Sequence, residues 1–371
     1  MNTEYRNTDQ RKLFDTIKDD ISGGGFRSDI TTDFEDMKEF FLNDERKKQI
    51  AGMGRIKAFF YMSWWLLKEL LLKLTPTRRL VLIIGILLLI LPGRFGMSGG
   101  DVSLSTNTNI LGGILILFVL MLELKDKLLA KDELSAGRTV QRALMSERSP
   151  KVPGWKLWLF TQPANDVGGD LVDIINLGDG KYGVTIADVS GKGLGAALLM
   201  AKLQTIIRAL TPEYSSLSIL FEKLNSAFHK DILPNSFASM IYMQLNENED
   251  NLKIVNAGHL PPFVIKNSRV NKLSKGNVAL GLVGDSEFKS ELVKISNGDY
   301  FLAFSDGVTE ARNISGDFLG VDRLAEFVDT VTYHSPEDLG QKILQQVKLF
   351  IGDAKTHDDL SIVILKRENI V

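Results

Sequence analysis

The chain contains no cysteine. Disulfide staples, thiolate zinc sites and cysteine nucleophiles are therefore excluded together, and the absence is compatible with a reducing compartment. Histidine is scarce, at four residues (His229, His259, His334 and His357), so a histidine-rich metal centre has little material while acidic ligands are abundant. Neither sign of charge dominates: 44 Lys and Arg stand against 46 Asp and Glu, a net charge of −2. Nucleic-acid binding thus lacks its electrostatic footprint. The first sixty residues are too polar for a secretory h-region, and no apolar run reaches the roughly 20 residues of an ordinary bilayer span. What is present is 371 residues with 44% apolar content. That is enough to bury a core, and long enough for two domains or for one catalytic domain plus a sizeable regulatory region.

Four zones are expected. Residues 1–58 are polar and partly helical, with a break at Gly23-Gly24-Gly25 and no evident chemistry. Residues 59–122 hold an amphipathic helix, Phe59–Leu74, and two apolar runs, Leu80–Leu91 and Ile110–Leu122. The helix either packs on a neighbour or lies on a membrane surface. Each run is short for a crossing. Gly93 and Phe95–Met97 lengthen the first if Arg94 snorkels, and Ser105–Asn109 lengthen the second. Arg78 and Arg79 precede the first run, and Lys125, Lys127 and Lys131 follow the second. The positive-inside rule then predicts a transmembrane hairpin in the inner membrane, with everything after it in the cytoplasm; a hairpin buried in a soluble domain is the alternative. Residues 123–149 read as a charged linker helix. Its stripe of Leu124, Leu128, Ala136, Val140 and Leu144 serves either as a homodimer seam or as a face packed on the next domain. Pro150 and Pro153 end it.

Residues 150–371 alternate strand-like runs with a helical pair, Leu194–Leu210 and Ser215–Ile232, and a later helix, Pro336–Ile351, before a last strand. This clustering predicts an α+β fold, an α-β-β-α sandwich of two antiparallel sheets flanked by helices, and not a repeating βαβ unit.

Four acidic motifs lie in this zone: Asp166-Val167-Gly168-Gly169-Asp170, with Asp173 beyond; Asp188-Val189-Ser190-Gly191-Lys192-Gly193; Ser305-Asp306-Gly307; and Thr356-His357-Asp358-Asp359. In each, an aspartate stands at a strand boundary, in most beside glycines that permit sharp turns and close approach. Carboxylates converging on one point repel unless cations lie among them, and all-oxygen ligands suit hard ions such as Mg²⁺ or Mn²⁺. Gly191-Lys192-Gly193 is not a nucleotide-binding phosphate loop, because the required glycine spacing and Lys-Ser/Thr pair are missing.

In this order the motifs resemble the PPM-type metal-dependent protein phosphatases, in the bacterial branch of the stage II sporulation and sigma-factor regulatory phosphatases. The likeness runs from about Gly137 to Lys366. It includes Gln141, Gln162-Pro163-Ala164, Asn256-Ala257-Gly258-His259 and Gly281-Leu282. The resemblance implies a serine/threonine protein phosphatase with two Mn²⁺ or Mg²⁺ ions, acting by direct attack of a metal-bridging water on a phosphorylated regulatory protein of the anti-anti-sigma type. It implies that Asp188 bridges the ions with the Val189 carbonyl adding a ligand, that Asp306 and Asp358 bind one ion, and that Asp170 serves the second directly or through water. Gly169, Gly191 and Gly307 would shape the site; Asp173, Asp359 and Lys192 would stand behind it. Asp359 competes with Asp358 as ligand, and Asp358 is preferred. His259 is read as a structural residue at a strand end. Leu171-Val172, Ser239 and Leu360-Ser361 depart from the common pattern. The phosphate-binding arginine of eukaryotic relatives has no evident substitute. A catalytically silent phosphoprotein-binding module is the competing reading.

Overall fold

The computed structural model describes residues 53–91, 93–99, 102–230, 232–354, 356 and 358–368. The expectations for most of residues 1–58 and for His357 lie outside them. The chain divides into two compact units, Met1–Leu128 and Leu129–Val371.

In the first unit, helix α1 (Arg55–Lys73) is followed by α2 (Pro76–Ile90), the hairpin β1 (Arg94–Gly99) and β2 (Val102–Asn107), and the start of α3 (Thr108–Leu144). Pro76 opens α2 at the first helical position, where no amide is needed. Arg79 reaches back to the Leu71 and Leu72 carbonyls, at 2.7 and 3.0 Å, and closes the end of α1. Helices α2 and α3 approach closely at two glycines. A Cβ on Gly112 would stand 2.6 Å from the Gly85 carbonyl, and one on Gly85 would stand 3.0 Å from Ile116. Small residues at a helix crossing are typical where packing must be close without a hydrophobic driving force. Arg78 then joins the helices, 2.7 Å from both Glu123 and Asp126.

Two expectations change here. Gly93–Met97 and Ser105–Asn107 do not lengthen the apolar helices, whereas Thr108 and Asn109 open α3 as expected. Residues 94–99 and 102–107 pair as antiparallel strands: Gly, Ser and Thr in this stretch are poor helix formers, and Phe95, Val102 and Thr106 are residue types that suit a strand. The second apolar run and the charged linker are a single helix of 37 residues, about 55 Å long at 1.5 Å per residue. Among the described residues, α3 is long and apolar enough to cross a membrane; α2, at 15 residues, is shorter. Leu80, Ile84, Leu87 and Ile90 on α2, and Ile110, Ile114, Leu117 and Phe118 on α3, remain exposed.

The second unit takes in the end of α3 and continues through β3 (Lys151–Val152), β4 (Trp155–Gln162), β5 (Asp170–Gly178), β6 (Lys181–Val189), α4 (Gly193–Leu210), α5 (Leu217–Lys230), β7 (Ala238–Asn246), β8 (Asn251–Ala257), β9 (Phe263–Lys266), β10 (Arg269–Lys272), β11 (Glu291–Lys294), β12 (Tyr300–Phe304), a single turn α6 (Asp306–Thr309), α7 (Val321–Thr330), α8 (Pro336–Ile351) and β13 (Leu360–Arg367). One antiparallel sheet has the order β10-β9-β12-β13-β4-β3 and the other β11-β8-β7-β6-β5. The expected sandwich is therefore present.

Period-two alternation builds three apolar layers. Leu157, Leu159, Phe301 and Val363 of the first sheet meet Val172, Ile186, Ile241 and Met243 of the second between the sheets. Trp158, Phe304 and Ile364 pack outward on α7 and α8. Leu171, Ala187, Met240 and Tyr242 pack outward on α4 and α5. Each fully buried large apolar side chain contributes roughly 1.5–3 kcal/mol. Gly193–Glu213 is also long and apolar enough to cross a membrane, yet Met200, Leu203 and Ile207 bury its face against the sheet, as in the core helix of a globular domain. The same alternation positions the site. Asp170 shares the face of Val172, and Asp188 that of Ile186, so both carboxylates point into the gap between the sheets.

Candidate active site

Asp170 and Asp188 are direct partners across β5 and β6, and Asp188 is also opposite Ser239 on β7. Asp306 begins α6 immediately after β12. Asp358 precedes β13. The four motif aspartates thus gather at one end of the inter-sheet gap, from both sheets. Asp188, Asp306 and Asp358 line a cavity of about 700 Å³ together with Val189, Lys192 and Glu310.

Crowding shows in the proton affinities. Burial, then the charges of Asp306 and Asp358, push the Asp188 carboxyl up to about 7. Burial and then Asp188 hold the Asp170 carboxyl well above the usual carboxylate range, only partly offset by the Ser361 and Ser305 hydroxyls. Asp306 is raised by burial and then by Asp358. Asp170 is 4% exposed, and its Oδ2 has no hydrogen-bond partner among the described residues. Like charges packed into a low-dielectric pocket are costly unless a proton or cation neutralises them.

The neighbouring aspartates at 358 and 359 do different things. Asp359 is buried; its carboxylate accepts from the Ala164 and Gly169 amides at 2.8 and 2.7 Å, and from Asp170 at 3.4 Å. It braces the loop that carries Asp170. Asp358 is open to the cavity, with the Lys192 ammonium 2.9 Å away. The glycines follow from this crowding. A Cβ on Gly169 would meet the Val189 carbonyl at 2.9 Å, and one on Gly307 would collide with the Asp359 backbone. Gly191 turns at φ +105°, a conformation that side-chain-bearing residues rarely adopt.

Asp173 does not stand behind the cluster. Three residues along β5 from Asp170, it falls on the opposite face, where Arg208 of α4 grips it with two 2.8 Å hydrogen bonds and Ser146 donates at 2.5 Å. Nothing in local sequence marked Arg208 or Ser146 as its partners. Gln141, near the end of α3, is 5% exposed and treats Gly168 as a strand would: its Nε2 donates to the carbonyl at 2.7 Å and its Oε1 accepts from the amide at 3.2 Å. Removing it leaves two buried backbone groups unsatisfied, each costing about 1–3 kcal/mol. Gln141→Ala is therefore expected to speed hydrogen–deuterium exchange of the 163–170 loop by roughly tenfold or more. Unchanged exchange would show that Asp359 alone holds the loop.

These residues suit divalent ions. Their donors are all oxygen, one buried carboxylate oxygen is unpartnered, and their charges are mutually destabilising. The donors are gathered but not closed: among the described residues, no three His, Asp or Glu side chains are arranged to grip an ion as they stand.

Residues 178–368 match the family model of stage II sporulation protein E. The chain belongs to the SpoIIE family. Protein IcfG of Synechocystis sp. is 25% identical over 263 residues, which cover 63% of this chain and 41% of that protein. Phosphoserine phosphatase RsbU of Bacillus subtilis is 26% identical over 240 residues, 64% of this chain and 71% of the relative. The chain thus spans only about two fifths of the first of these relatives. Among solved structures, the PP2C domain of SiaA from Pseudomonas aeruginosa superposes with a TM-score of 0.58 at 16% identity, covering 66% of this chain and 98% of that one. The PP2C phosphatase domain of SpoIIE from Bacillus subtilis superposes with a TM-score of 0.50 at 16% identity, covering 60% of this chain and 64% of that one. The second unit of this SpoIIE-family chain has the PP2C fold.

Proposed function

We propose that this SpoIIE-family chain is a metal-dependent serine/threonine protein phosphatase, anchored in the cytoplasmic membrane, that hydrolyses a phosphoserine or phosphothreonine on a regulatory protein. The observation that carries the reading is the set of mutually repelling carboxylates, with Asp188, Asp306 and Asp358 lining one cavity and Asp170 buried beside Asp188, on the fold of known phosphatases. With the Val189 carbonyl, these aspartates would hold two Mn²⁺ or Mg²⁺ ions. When bound, the ions supply activation of water and neutralisation of charge on the transferring phosphoryl group.

The chain's own groups do the rest. Asp359 fixes the Asp170 loop by its amides, and Gly169 and Gly307 leave room for close approach. Lys192, paired with Asp358, is a cation at the rim. It is the nearest counterpart to a phosphate-binding arginine. No thiol exists to form a phosphocysteine intermediate, and direct hydrolysis by metal-activated water is consistent with that. The relative RsbU is named a phosphoserine phosphatase; a phosphorylated anti-anti-sigma type protein is the substrate class proposed here. The membrane part rests on the exposed apolar faces of α2 and α3, their glycine crossing and the basic flanks. Pairing of two copies through the α3 stripe is the proposed form of any homodimer.

Full-length protein is expected in the membrane fraction and, extracted in detergent, to release phosphate from a phosphoserine peptide with Mn²⁺ and not with EDTA. Metal-independent turnover, or none with any divalent ion, would sink the enzyme reading. Recovery wholly in the soluble fraction would sink the anchor.

A further inference from the structure

His259 lies between β8 and β9, at the edge of the cavity, and is 6% exposed. Its backbone is locked by Asn256, whose Oδ1 accepts from the His259 amide at 2.9 Å while its Nδ2 donates to the His259 carbonyl at 3.1 Å. The ring then spans the two sheets. Nδ1 is 2.8 Å from the Ser239 hydroxyl, on the residue directly opposite Asp188. Nε2 is enclosed and has no hydrogen-bond partner among the described residues, while the Phe304 backbone lies near enough to the ring to raise its proton affinity against the effect of burial.

The sequence explains why a side chain is needed there. Strand β9 pairs with β12 from Phe263↔Leu302 to Ile265↔Tyr300. Extending that register places Pro261 opposite Phe304. Proline has no N–H to give, so the ladder stops, and the last carbonyl before Ser305 and Asp306 faces an imidazole instead. Burial lowers the ring's proton affinity to a pKa of about 4, so the imidazole is neutral near pH 7. A neutral ring has one donor and one acceptor. With Nε2–H toward the Phe304 carbonyl, Nδ1 accepts the Ser239 hydroxyl proton.

We infer that His259 is a positioning residue that holds the Asp188 strand and the Asp306 strand at a set spacing across the mouth of the site, through Ser239 on one side and Phe304 on the other. The inference rests on the metal-dependent phosphatase reading, since the spacing matters only if both aspartates serve the same ions. It assigns Ser239 a purpose as well: the hydroxyl is what counts, so serine and threonine are equivalent there.

The test is calorimetric titration of Mn²⁺ into the EDTA-stripped full-length chain in detergent, alongside phosphoserine-peptide turnover and thermal unfolding. Partners that orient ligands typically change metal affinity or activity by about 10- to 100-fold, so His259→Ala should weaken Mn²⁺ binding roughly tenfold or more, Ser239→Ala should weaken it several-fold, and His259→Gln and Ser239→Thr should stay within about threefold of wild type. Glutamine keeps an acceptor and a donor, which is why it rescues. Ser239→Ala carries the test if His259→Ala does not fold. A residue that only supports the fold would lower the melting temperature and leave the Mn²⁺ affinity of the folded protein unchanged. That result, for either alanine variant, overturns the inference alone. A wild-type chain that neither binds Mn²⁺ nor turns over overturns the phosphatase reading and this inference with it.

Discussion

Asp188→Asn is expected to lower Mn²⁺-dependent phosphatase turnover by about 10³-fold or more. Asp188 is the hinge of the acidic cluster. It faces Asp170 across one pair of strands and Ser239 across the other, and its proton affinity is raised by Asp306 and Asp358 as well as by burial. Asparagine preserves volume and shape, so the packing around Ile186 and Ala187 is undisturbed, and the loss is one of charge and ligand capacity. Charge stabilisation by bound ions is worth several kcal/mol in the transition state, and each 1.36 kcal/mol is tenfold in rate; about 4 kcal/mol therefore gives the stated loss. Steady-state assays across Mn²⁺ concentrations check it. A variant with wild-type turnover at saturating metal would remove Asp188 from the site and leave the cluster without a centre.

That centre was legible in the sequence, and parts of its surroundings were not. Asp170, Asp188, Asp306 and Asp358 stand at strand boundaries, mostly beside glycine, a local pattern readable without coordinates. Pro336–Ile351 was legible to the residue because Ser335 caps it and Pro336 opens it. The rest needed three dimensions. Asp173 sits in the same motif as Asp170, yet its face is set by strand parity, and its partner Arg208 is 35 residues away. The contrast between Asp358 and Asp359 depends on amides of residues 164 and 169, nearly two hundred positions earlier. Helix α7 escaped notice because Val321–Thr330 buries only Leu324, Ala325 and Val328 and reads as polar. The hairpin at 94–107 was mistaken for helix extension because hydropathy was weighed above the poor helix propensity of its Gly, Ser and Thr residues. In the first three cases a long-range partner or a short buried stripe decided the outcome, and neither is visible in a local window.

Held free of divalent ions by EDTA at pH 8, wild-type protein should be less thermostable than Asp188→Asn, and Mn²⁺ should reverse the order. The sign follows from linkage. The Asp188 carboxyl rises from an ordinary 3.8 to about 7 on folding. Between these values the folded chain holds a proton that the unfolded chain has released, so stability falls as pH rises. Below about pH 4 both states are protonated and the penalty is absent; above about 7 it is present in full. A rise of that size is worth at most about 4 kcal/mol. Partial solvent access trims it to a few, or roughly 5–10 °C for a domain of this size. Asp170 and Asp306 act in the same direction. His259 acts in the opposite one: its affinity is depressed to about 4, so its contribution is lost as pH falls below its usual 6.5. Both proteins contain His259, so the difference between wild type and variant isolates Asp188. That difference should vanish near pH 4–5 and open toward pH 8. Mn²⁺ at about 100 times its dissociation constant adds about 2.7 kcal/mol to wild type, and little to the variant, whose amide cannot supply a charged ligand. Protons compete with the ion, so the gain should shrink toward pH 5. Thermal unfolding of the two proteins at pH 5 and pH 8, with EDTA and with Mn²⁺, measures all of this at once. If EDTA-treated Asp188→Asn were no more stable than wild type at pH 8, the four carboxylates would not be repelling one another, and the physical argument for a cation among them would fail.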